Sequence, residues 1–305
     1  GSSLSTGFGG MKKAVIFAPF WKVPGHVGNN RVDRFVRWLV EEGFQVVIIR
    51  AGARNELCKT EWGAELTVRD PLGLYRDSGI EEKVAVRRRP NRFLYWLAYW
   101  LFNPDPSIIW GRKAAADLRV RAMVADADFI LSSSPPESAH VGAWMLARRF
   151  NIPHIVDMRD GWLDEPLKPI LINSALRRWL EARLEARIIA DASRIFVTSN
   201  IWCDLLCRRL QLASKKIVVI TNGYPRNTGC DDVKHNFGDG GNRLVLIHAG
   251  RFTGSRKTQK PILLLAPLLN AIQENEARGT VRLIGEIHKE EIAEIDKYRE
   301  QFGDF

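Results

Sequence analysis

The sequence has few of the residues that mark disulfide-rich proteins, zinc sites and membrane spans. Its 305 residues include four cysteines, none of them in a Cys-x-x-Cys pair. Cys203 and Cys207 have no second pair at zinc-ligand spacing, so we interpret the cysteines as reduced thiols and expect no metal site. The longest apolar run, residues 93–102, is about half as long as the ~20 residues that span a bilayer. We therefore expect a cytoplasmic protein.

Acidic residues are outnumbered by basic ones. The chain has 45 lysines and arginines against 35 aspartates and glutamates, which gives a net charge of +10. This charge attracts anions such as nucleic acid, anionic lipid or phosphorylated small molecules, although many soluble proteins are equally basic. The basic residues are spread over all segments and form no recognised nucleic-acid-binding module, so we expect no nucleic-acid partner.

The length of the chain predicts two domains. Residues 1–10 read as a tag remnant ahead of Met11 and do not enter the fold prediction. We predict a Rossmann-like domain at 11–222, then a linker at 223–242 that is dense in Gly, Asn and Asp. Residues 243–305 are predicted to form only part of a second domain of the same class.

Alternating strand and helix patterns predict an α/β fold with doubly wound parallel sheets. Apolar runs at 14–18 and 44–49 flank an amphipathic helix pattern, which is the arrangement of a βαβ unit. After a less regular stretch, the same alternation returns between residues 128 and 221. A further apolar run at 244–248 begins the second domain.

Several segments in chain order resemble one enzyme family. They lie at 103–110, 128–136, 152–162, 181–193, 221–224 and 248–257. Together they are similar to the GT-B glycosyltransferases of family 4, in particular the bacterial members that build surface polysaccharides. The resemblance implies two Rossmann-like domains and transfer of a sugar, with retention of configuration, from a nucleotide diphosphate donor to a glycan or lipid-linked acceptor. It also implies that no metal or cofactor is needed.

The resemblance further predicts that the chain ends before its donor site is complete. In the family, a Glu-x7-Glu motif late in the second domain holds the donor. Glu286 and Glu294 have this spacing, but they come too early and lack the Gly and Pro expected between them. We therefore expect a C-terminally truncated second domain and a piece that is inactive by itself.

The loop 24–31 is the first predicted contact for the donor phosphates. Glycines between a strand and a helix let backbone N–H groups approach a phosphate, although an ordinary turn has the same pattern. The loop is not Gly-x-Gly-x-x-Gly, so a dinucleotide fold has no direct support. The resemblance assigns the contact to Gly28 and Asn29, with Arg31 in support.

A basic stretch early in the second domain is the other predicted phosphate contact. Positioned cations offset the charge that develops on a departing diphosphate. The family has an Arg directly after a Gly and a Lys six residues later, and Arg251 and Lys257 match this spacing, with Arg256 beside them. Thr258 stands where the family has Gly, and a solvated loop is the alternative interpretation.

Two residues are predicted to be catalytic. His140 follows a predicted strand, at the edge where open α/β sheets place their ligands, and the family context favours a sugar contact over a surface histidine. Asp160 belongs to the Asp-x-Arg-Asp-x-Trp motif and is predicted to contact an acceptor sugar, with base catalysis as a further role. His154, inside a predicted strand, is interpreted as structural.

The remaining residues of that motif are predicted to bind the acceptor. Asp157, Arg159 and Trp162 stand at or after the end of a predicted strand. Carboxylates around an arginine also form structural ion pairs, which is the usual outcome and the alternative here.

A cationic and aromatic segment is the candidate membrane contact. Four arginines within 87–92 precede the apolar run 93–102. Such a segment fits a bilayer interface on the inner face of the cell membrane, while an apolar core helix is the alternative. Two other functions stay open at this point: a sugar-nucleotide epimerase or similar modifying enzyme, and a non-catalytic module that binds sugars or anions.

Overall fold

The computed structural model describes two compact units. The described residues up to Gly223 form the first unit, and those from Arg243 onward belong to the second. The described ranges are 12–23, 28–73, 101–164, 174–223, 243–249, 261–274, 278–284 and 289–302.

The first unit is built on a sheet of eight strands. They are β1 (Lys13–Phe17), β2 (Gln45–Gly52), β3 (Glu56–Thr60), β4 (Gly63–Arg69), β5 (Phe129–Ser134), β6 (His154–Met158), β7 (Arg194–Val197) and β8 (Ile217–Val219). Their order is β3-β4-β2-β1-β5-β6-β7-β8, and neighbours are parallel apart from β3 with β4. The chain builds outward from β1 first on the β2 side and then on the β5 side. The sheet therefore has its topological switch point between β1 and β5.

Helices cover both faces of this sheet. They are α1 (Gly28–Glu41), α2 (Ile108–Ala116), α3 (Leu118–Val124), α4 (Ser138–Phe150), α5 (Ala175–Asp191) and α6 (Asn200–Leu210). The apolar face of α1 packs on one side of the sheet, against Ala14 and Ile16 of β1. The other helices pack on the opposite side, in cores that contain Val15 of β1 and Val156 of β6. The strands are buried between two helical layers, as parallel strands usually are.

Local sequence explains several helix boundaries. Ser174 and Ser199 precede α5 and α6, and each hydroxyl accepts a backbone N–H of the first turn, at 3.3 and 3.2 Å. Asn151 and Gln211 follow α4 and α6 with φ of 53° and 51°, the left-handed conformation that ends many helices.

Asp105 fixes the start of α4, which begins beside the carboxyl end of β5. Its buried carboxylate accepts hydrogen bonds from the backbone N–H of Ser107 (2.8 Å) and from the N–H and hydroxyl of Ser138 (2.9 and 2.8 Å). Burial raises the pKa of Asp105, and the hydrogen bonds from Ser138 oppose that rise. One carboxylate thereby holds the beginnings of both α2 and α4.

The described part of the second unit has two parallel strands and two helices. They are β9 (Arg243–Ala249), β10 (Arg278–Ile284), α7 (Pro261–Glu274) and α8 (Lys289–Phe302). Leu265 and Leu269 of α7 form a small core with Ile295 and Tyr298 of α8. None of the helices in the described ranges combines the length and apolar character that a bilayer span requires.

The α/β fold class predicted from the sequence is confirmed, whereas the region between β2 and β5 was predicted incompletely. The antiparallel hairpin of β3 and β4 and the helices α2 and α3 were not predicted. In β3, four of five side chains are exposed, so no apolar pattern marks the strand. In β4, a buried Glu65 interrupts the apolar run and pairs with Lys22. The predicted domain boundaries stay predictions.

Candidate functional site

The carboxyl ends of β1, β5 and β6 meet the amino end of α1 around a small cleft. The cleft lies at the switch point of the sheet, where open α/β sheets bind their ligands. Its enclosed volume is only about 10 Å³, within about 200 Å³ of space that includes open solvent. The lining residues are Ala18, Pro19, Phe20, Trp21, Gly28, Asn29, Val32, Ser133, Pro135 and Arg159.

Arg159 brings a positive charge to the cleft. Its Nε donates to the carbonyl oxygen of Ser134 at 2.6 Å, and its Nη2 donates to that of Pro135 at 3.2 Å. Burial lowers the pKa of Arg159, while the carboxylates of Asp157 and Asp160 act in the opposite direction. Because an arginine guanidinium stays charged at neutral pH, Arg159 is a cation fixed in place by two carbonyl groups.

The amino end of α1 lies directly against this guanidinium. A Cβ on Gly28 would overlap Arg159, so the helix approaches this closely because residue 28 is glycine. The Asn29 side chain donates to the carbonyl oxygen of Val23 at 2.8 Å and ties the first turn to the segment after β1. The first N–H groups of a helix lack partners within it, and the helix dipole is positive there. With Arg159, this end of α1 gives the cleft the character of an anion-binding site.

A buried ion pair lies beside the cleft. Arg31 of α1 contacts Asp157 of β6 through Nη2 and Oδ1 at 2.7 Å, and its Nε donates to the same carboxylate at 3.0 Å. Ser133 Oγ donates to the other oxygen of Asp157 at 2.8 Å, and Arg31 Nη1 donates to the Ile220 carbonyl at 2.8 Å. The pair therefore joins α1 to β5, to β6 and to the residue after β8.

Two buried histidines share one serine on the other side of the sheet. Ser132 Oγ lies 2.6 Å from His140 Nδ1 and 2.8 Å from His154 Nε2. Burial lowers the pKa of His154 to about 3 and that of His140 well below 6.5, so both rings are neutral at pH 7. The Ser132 hydroxyl has a single proton, so it donates to one histidine ring and accepts an N–H from the other. Since His140 Nε2 and His154 Nδ1 have no partner in the described structure, one of these two atoms carries a proton without an acceptor.

Trp162 is also buried, behind the carboxyl end of β6. Its Nε1 donates to Glu181 Oε1 at 2.9 Å, and Arg177 lies 3.7 Å from the same carboxylate. The indole ring lies 6.0 Å from the His140 ring, centroid to centroid. Trp162 thus connects the end of β6 to α4 and α5.

The structure brings together only some of the predicted site residues. Gly28, Asn29 and Arg159 line the cleft. Arg31, His140, Asp157 and Trp162 are buried, and none of the four lines the cleft. Each is enclosed by partners from neighbouring elements, so in this structure each supports the cleft from beneath. The ligand contacts of His140, Asp157 and Trp162 stay predictions. Asp160 is exposed after β6 and is not among the lining residues.

Other predicted residues cannot be placed. Arg251, Arg256, Lys257 and most of the segment 87–102 lie outside the described residues. Within the described ranges, no group of three His, Cys, Asp or Glu side chains is placed to hold a metal ion. That neither metal nor cofactor is needed stays a prediction.

Sequence reasoning missed the residues that β5 and the segment after β1 contribute. Ser133, Pro135, Phe20 and Trp21 line the cleft but were not predicted as site residues. A signal was present in the sequence, because the polar run Ser132–Ser134 ends an otherwise apolar strand that neighbours β1. Polar residues at that edge of a parallel sheet indicate a ligand site.

Comparison with known families assigns the chain. The profile of the glycosyl transferase 4-like domain matches residues 28–223, which is more than half of the chain. The chain belongs to this family. The match begins at the glycine that opens α1 and includes every strand of the first sheet from β2 onward. Comparison with curated protein sequences gives no match.

Two solved structures share the fold. The chain is similar to the catalytic domain of starch synthase IV from Arabidopsis thaliana, with a TM-score of 0.58 and 13% identity, covering 96% of this chain and 72% of that one. It is also similar to Alr3699/HepE from Anabaena, with a TM-score of 0.52 and 12% identity, covering 96% of this chain and 66% of that one. At this identity the likeness shows the fold alone. The chain spans about two thirds of the length of the Anabaena protein.

Proposed function

We propose that this glycosyltransferase 4-like protein takes a sugar from a nucleotide diphosphate-sugar and transfers it to a glycan or lipid-linked acceptor. We further propose retention of configuration and a role in surface polysaccharide synthesis at the inner face of the cell membrane. The observation that carries the proposal is the cleft in which Gly28, Asn29 and Arg159 meet at the switch point of the sheet. The Anabaena protein was solved in complex with UDP, and the catalytic domain of starch synthase IV bound to ADP and acarbose.

The cleft suits the diphosphate of such a donor. Negative charge grows on the diphosphate as the sugar leaves, and a fixed cation with oriented N–H groups stabilises that charge without reorganisation. Arg159, which the sequence predicted as an acceptor contact, is proposed to supply the cation instead, and the first turn of α1 supplies the N–H groups. Arg251, Arg256 and Lys257 stay proposed donor-phosphate contacts.

Asp160 is the proposed contact for the acceptor. It follows Arg159 directly and is exposed, so an acceptor hydroxyl can reach its carboxylate. His140 is proposed to act as a positioning residue, because its ring holds Ser132 next to Ser133, which lines the cleft. Asp157 and Trp162 hold the end of β6 in the same way.

Nucleotide binding to the 305-residue chain tests the proposed donor site. Titration calorimetry with UDP, ADP and inorganic diphosphate should show binding, and Arg159→Gln should weaken it by about 10- to 100-fold, the value of ~1.5–3 kcal/mol for a hydrogen bond to a charged group. The matched control is Arg37→Gln on the exposed side of α1, which should leave binding unchanged. Equal affinity of the Arg159 and Arg37 variants would contradict the assignment of the cleft.

Turnover separates an enzyme from a binding module. A panel of nucleotide sugars, assayed with the purified protein, should yield hydrolysis or transfer with at least one donor. Nucleotide binding without turnover of any donor would support the non-catalytic alternative and reject sugar transfer.

A further inference from the structure

Helix α5 turns a row of apolar side chains toward solvent. Leu176, Trp179 and Leu180 are 68%, 52% and 43% exposed, respectively. They follow one another at helical spacing, so they lie on one side of the helix, and Arg183 and Arg187 continue the same row on the next turns. We call these five residues the outer stripe of α5.

The outer stripe carries positive charge although the helix also contains glutamates. Glu181 and Glu185 are 2% and 0% exposed and point inward, where Glu181 accepts from Trp162 and Glu185 accepts from Arg209 at 2.7 Å. Between residues 175 and 190, the exposed charged side chains of α5 are therefore all arginines, and the exposed carboxylate of Asp191, which accepts from Trp144 Nε1 at 2.8 Å, ends the helix. Arg183 lies over the Trp179 ring at 4.6 Å, so the charge and the apolar surface form one patch.

The sequence's longest apolar run ends against the first turn of α5. Arg177, in that turn, donates to the carbonyl oxygens of Phe102 at 2.8 Å and Pro104 at 2.7 Å. Arg177 is 6% exposed and lies on the inner side of the helix, so this contact anchors the start of α5 and leaves the side chains of the outer stripe exposed.

We propose that the outer stripe of α5 rests on an anionic lipid bilayer. Leucines and a tryptophan would enter the boundary between headgroups and acyl chains, and Arg183 and Arg187 would contact lipid phosphates. A tryptophan with an adjacent arginine suits this boundary, because one part of the patch is apolar and the other is charged. This proposal rests on the proposed location at the membrane and names the contact surface, while its vesicle test does not depend on sugar transfer.

Co-sedimentation of the 305-residue chain with vesicles tests the proposal. Vesicles of phosphatidylcholine with phosphatidylglycerol should bind the protein, vesicles of phosphatidylcholine alone should bind it far less, and added salt should release it. Arg183→Gln with Arg187→Gln should weaken binding by about 30-fold, at roughly fivefold for each arginine near a charged membrane. Leu176→Ser with Trp179→Ser and Leu180→Ser should weaken it about tenfold or more.

The matched control is Trp38→Ser on α1. Trp38 is 56% exposed, on the opposite face of the sheet, and Glu41 and Glu42 follow it. This variant should bind vesicles like the unchanged protein, and circular dichroism should show that all variants are folded.

Several results would overturn the proposal. They are absence of vesicle binding, equal binding with and without phosphatidylglycerol, and stripe variants that bind like the Trp38 variant. A loss of binding confined to replacement of the four arginines within 87–92 would assign the contact to that segment instead of α5. A change of oligomeric state in the stripe variants, without a change in vesicle binding, would assign the stripe to protein association.

Discussion

The guanidinium of Arg31 has acceptors from several parts of the first unit. Asp157, the Ile220 carbonyl and the Asn222 side chain all accept from it, and Ser133 donates to the carboxylate of Asp157. Both charged side chains are almost fully buried. Removing one partner therefore leaves an uncompensated charge in a site that water does not reach.

Asp157→Ala should destabilise the first unit by about 3–5 kcal/mol, the cost of breaking a buried ion pair. Urea unfolding measures this loss. The control is Asp33→Ala, which removes an exposed pair with Arg37 on α1 and should cost about 0.5 kcal/mol or less. Arg31→Met with Asp157→Leu should lose less stability than Asp157→Ala, because no charge is then left unpaired. A loss from Asp157→Ala no larger than that from Asp33→Ala would show that water reaches the pair.

At the scale of single residues, the sequence predicted which residues lie at the ends of the strands better than which of their side chains face the cleft. Gly28, Asn29 and Arg159 were predicted as ligand contacts and do line the cleft. His140 and Trp162 were also predicted as contacts, yet both are buried. The position at the end of a strand follows from the local pattern. The direction of a side chain depends on residues far along the chain, such as Ser132 for His140 and Glu181 for Trp162.

At the scale of elements, α4 is positioned by contacts at both its start and its first turns. Asp105 accepts from the backbone and side chain of Ser138, and Gly142 allows the backbone of α2 to approach at Gly111. The alternation of strands and helices that includes α4 was predicted from the sequence. The neighbouring α2 was not predicted, since its apolar residues give no clear amphipathic pattern.

Gly142→Ala should destabilise the packing of α2 against α4. The added Cβ would lie 2.8 Å from the carbonyl oxygen of Gly111, a backbone atom that cannot rotate away. Overpacking costs about 1–3 kcal/mol, and a contact this short with a backbone atom belongs to the upper part of that range, about 2–3 kcal/mol. The better helix propensity of alanine returns ~1 kcal/mol, so we expect a net loss of roughly 1–2 kcal/mol. Chemical unfolding measures it.

Met145→Ala, on the exposed side of the same helix, is the control for Gly142→Ala and should stay within about 0.5 kcal/mol of the unchanged protein. Unchanged or increased stability of Gly142→Ala would mean that α2 can move away from α4 without lowering the free energy of unfolding.

At the scale of the whole molecule, the two buried histidines tie stability to pH. In the folded protein the pKa of His154 is about 3, and that of His140 is also depressed, against an ordinary value of 6.5 in the unfolded chain. Below pH 6.5 the unfolded chain therefore binds more protons than the folded protein. Stability is fully present above this pH and falls as the pH drops through the window between 6.5 and the folded pKa values. The raised pKa of Asp105 acts in the opposite direction at acid pH.

The pH dependence of urea unfolding checks this effect. Each histidine should cost ~1.4 kcal/mol of stability per pH unit, or about 2 kcal/mol between pH 6.5 and roughly pH 5. His154→Asn should remove about half of this pH dependence, since only His140 then remains to be protonated on unfolding. Ser132→Ala is the matched control, because it removes the shared hydroxyl but keeps both buried rings. It should lower stability at every pH and leave the slope of stability against pH unchanged. The contradicting result is a His154→Asn variant that loses stability with the same slope against pH as the unchanged protein. It would mean that His154 is protonated in the folded protein as readily as in the unfolded chain. The burial of His154 between the sheet and the helices would then be wrong.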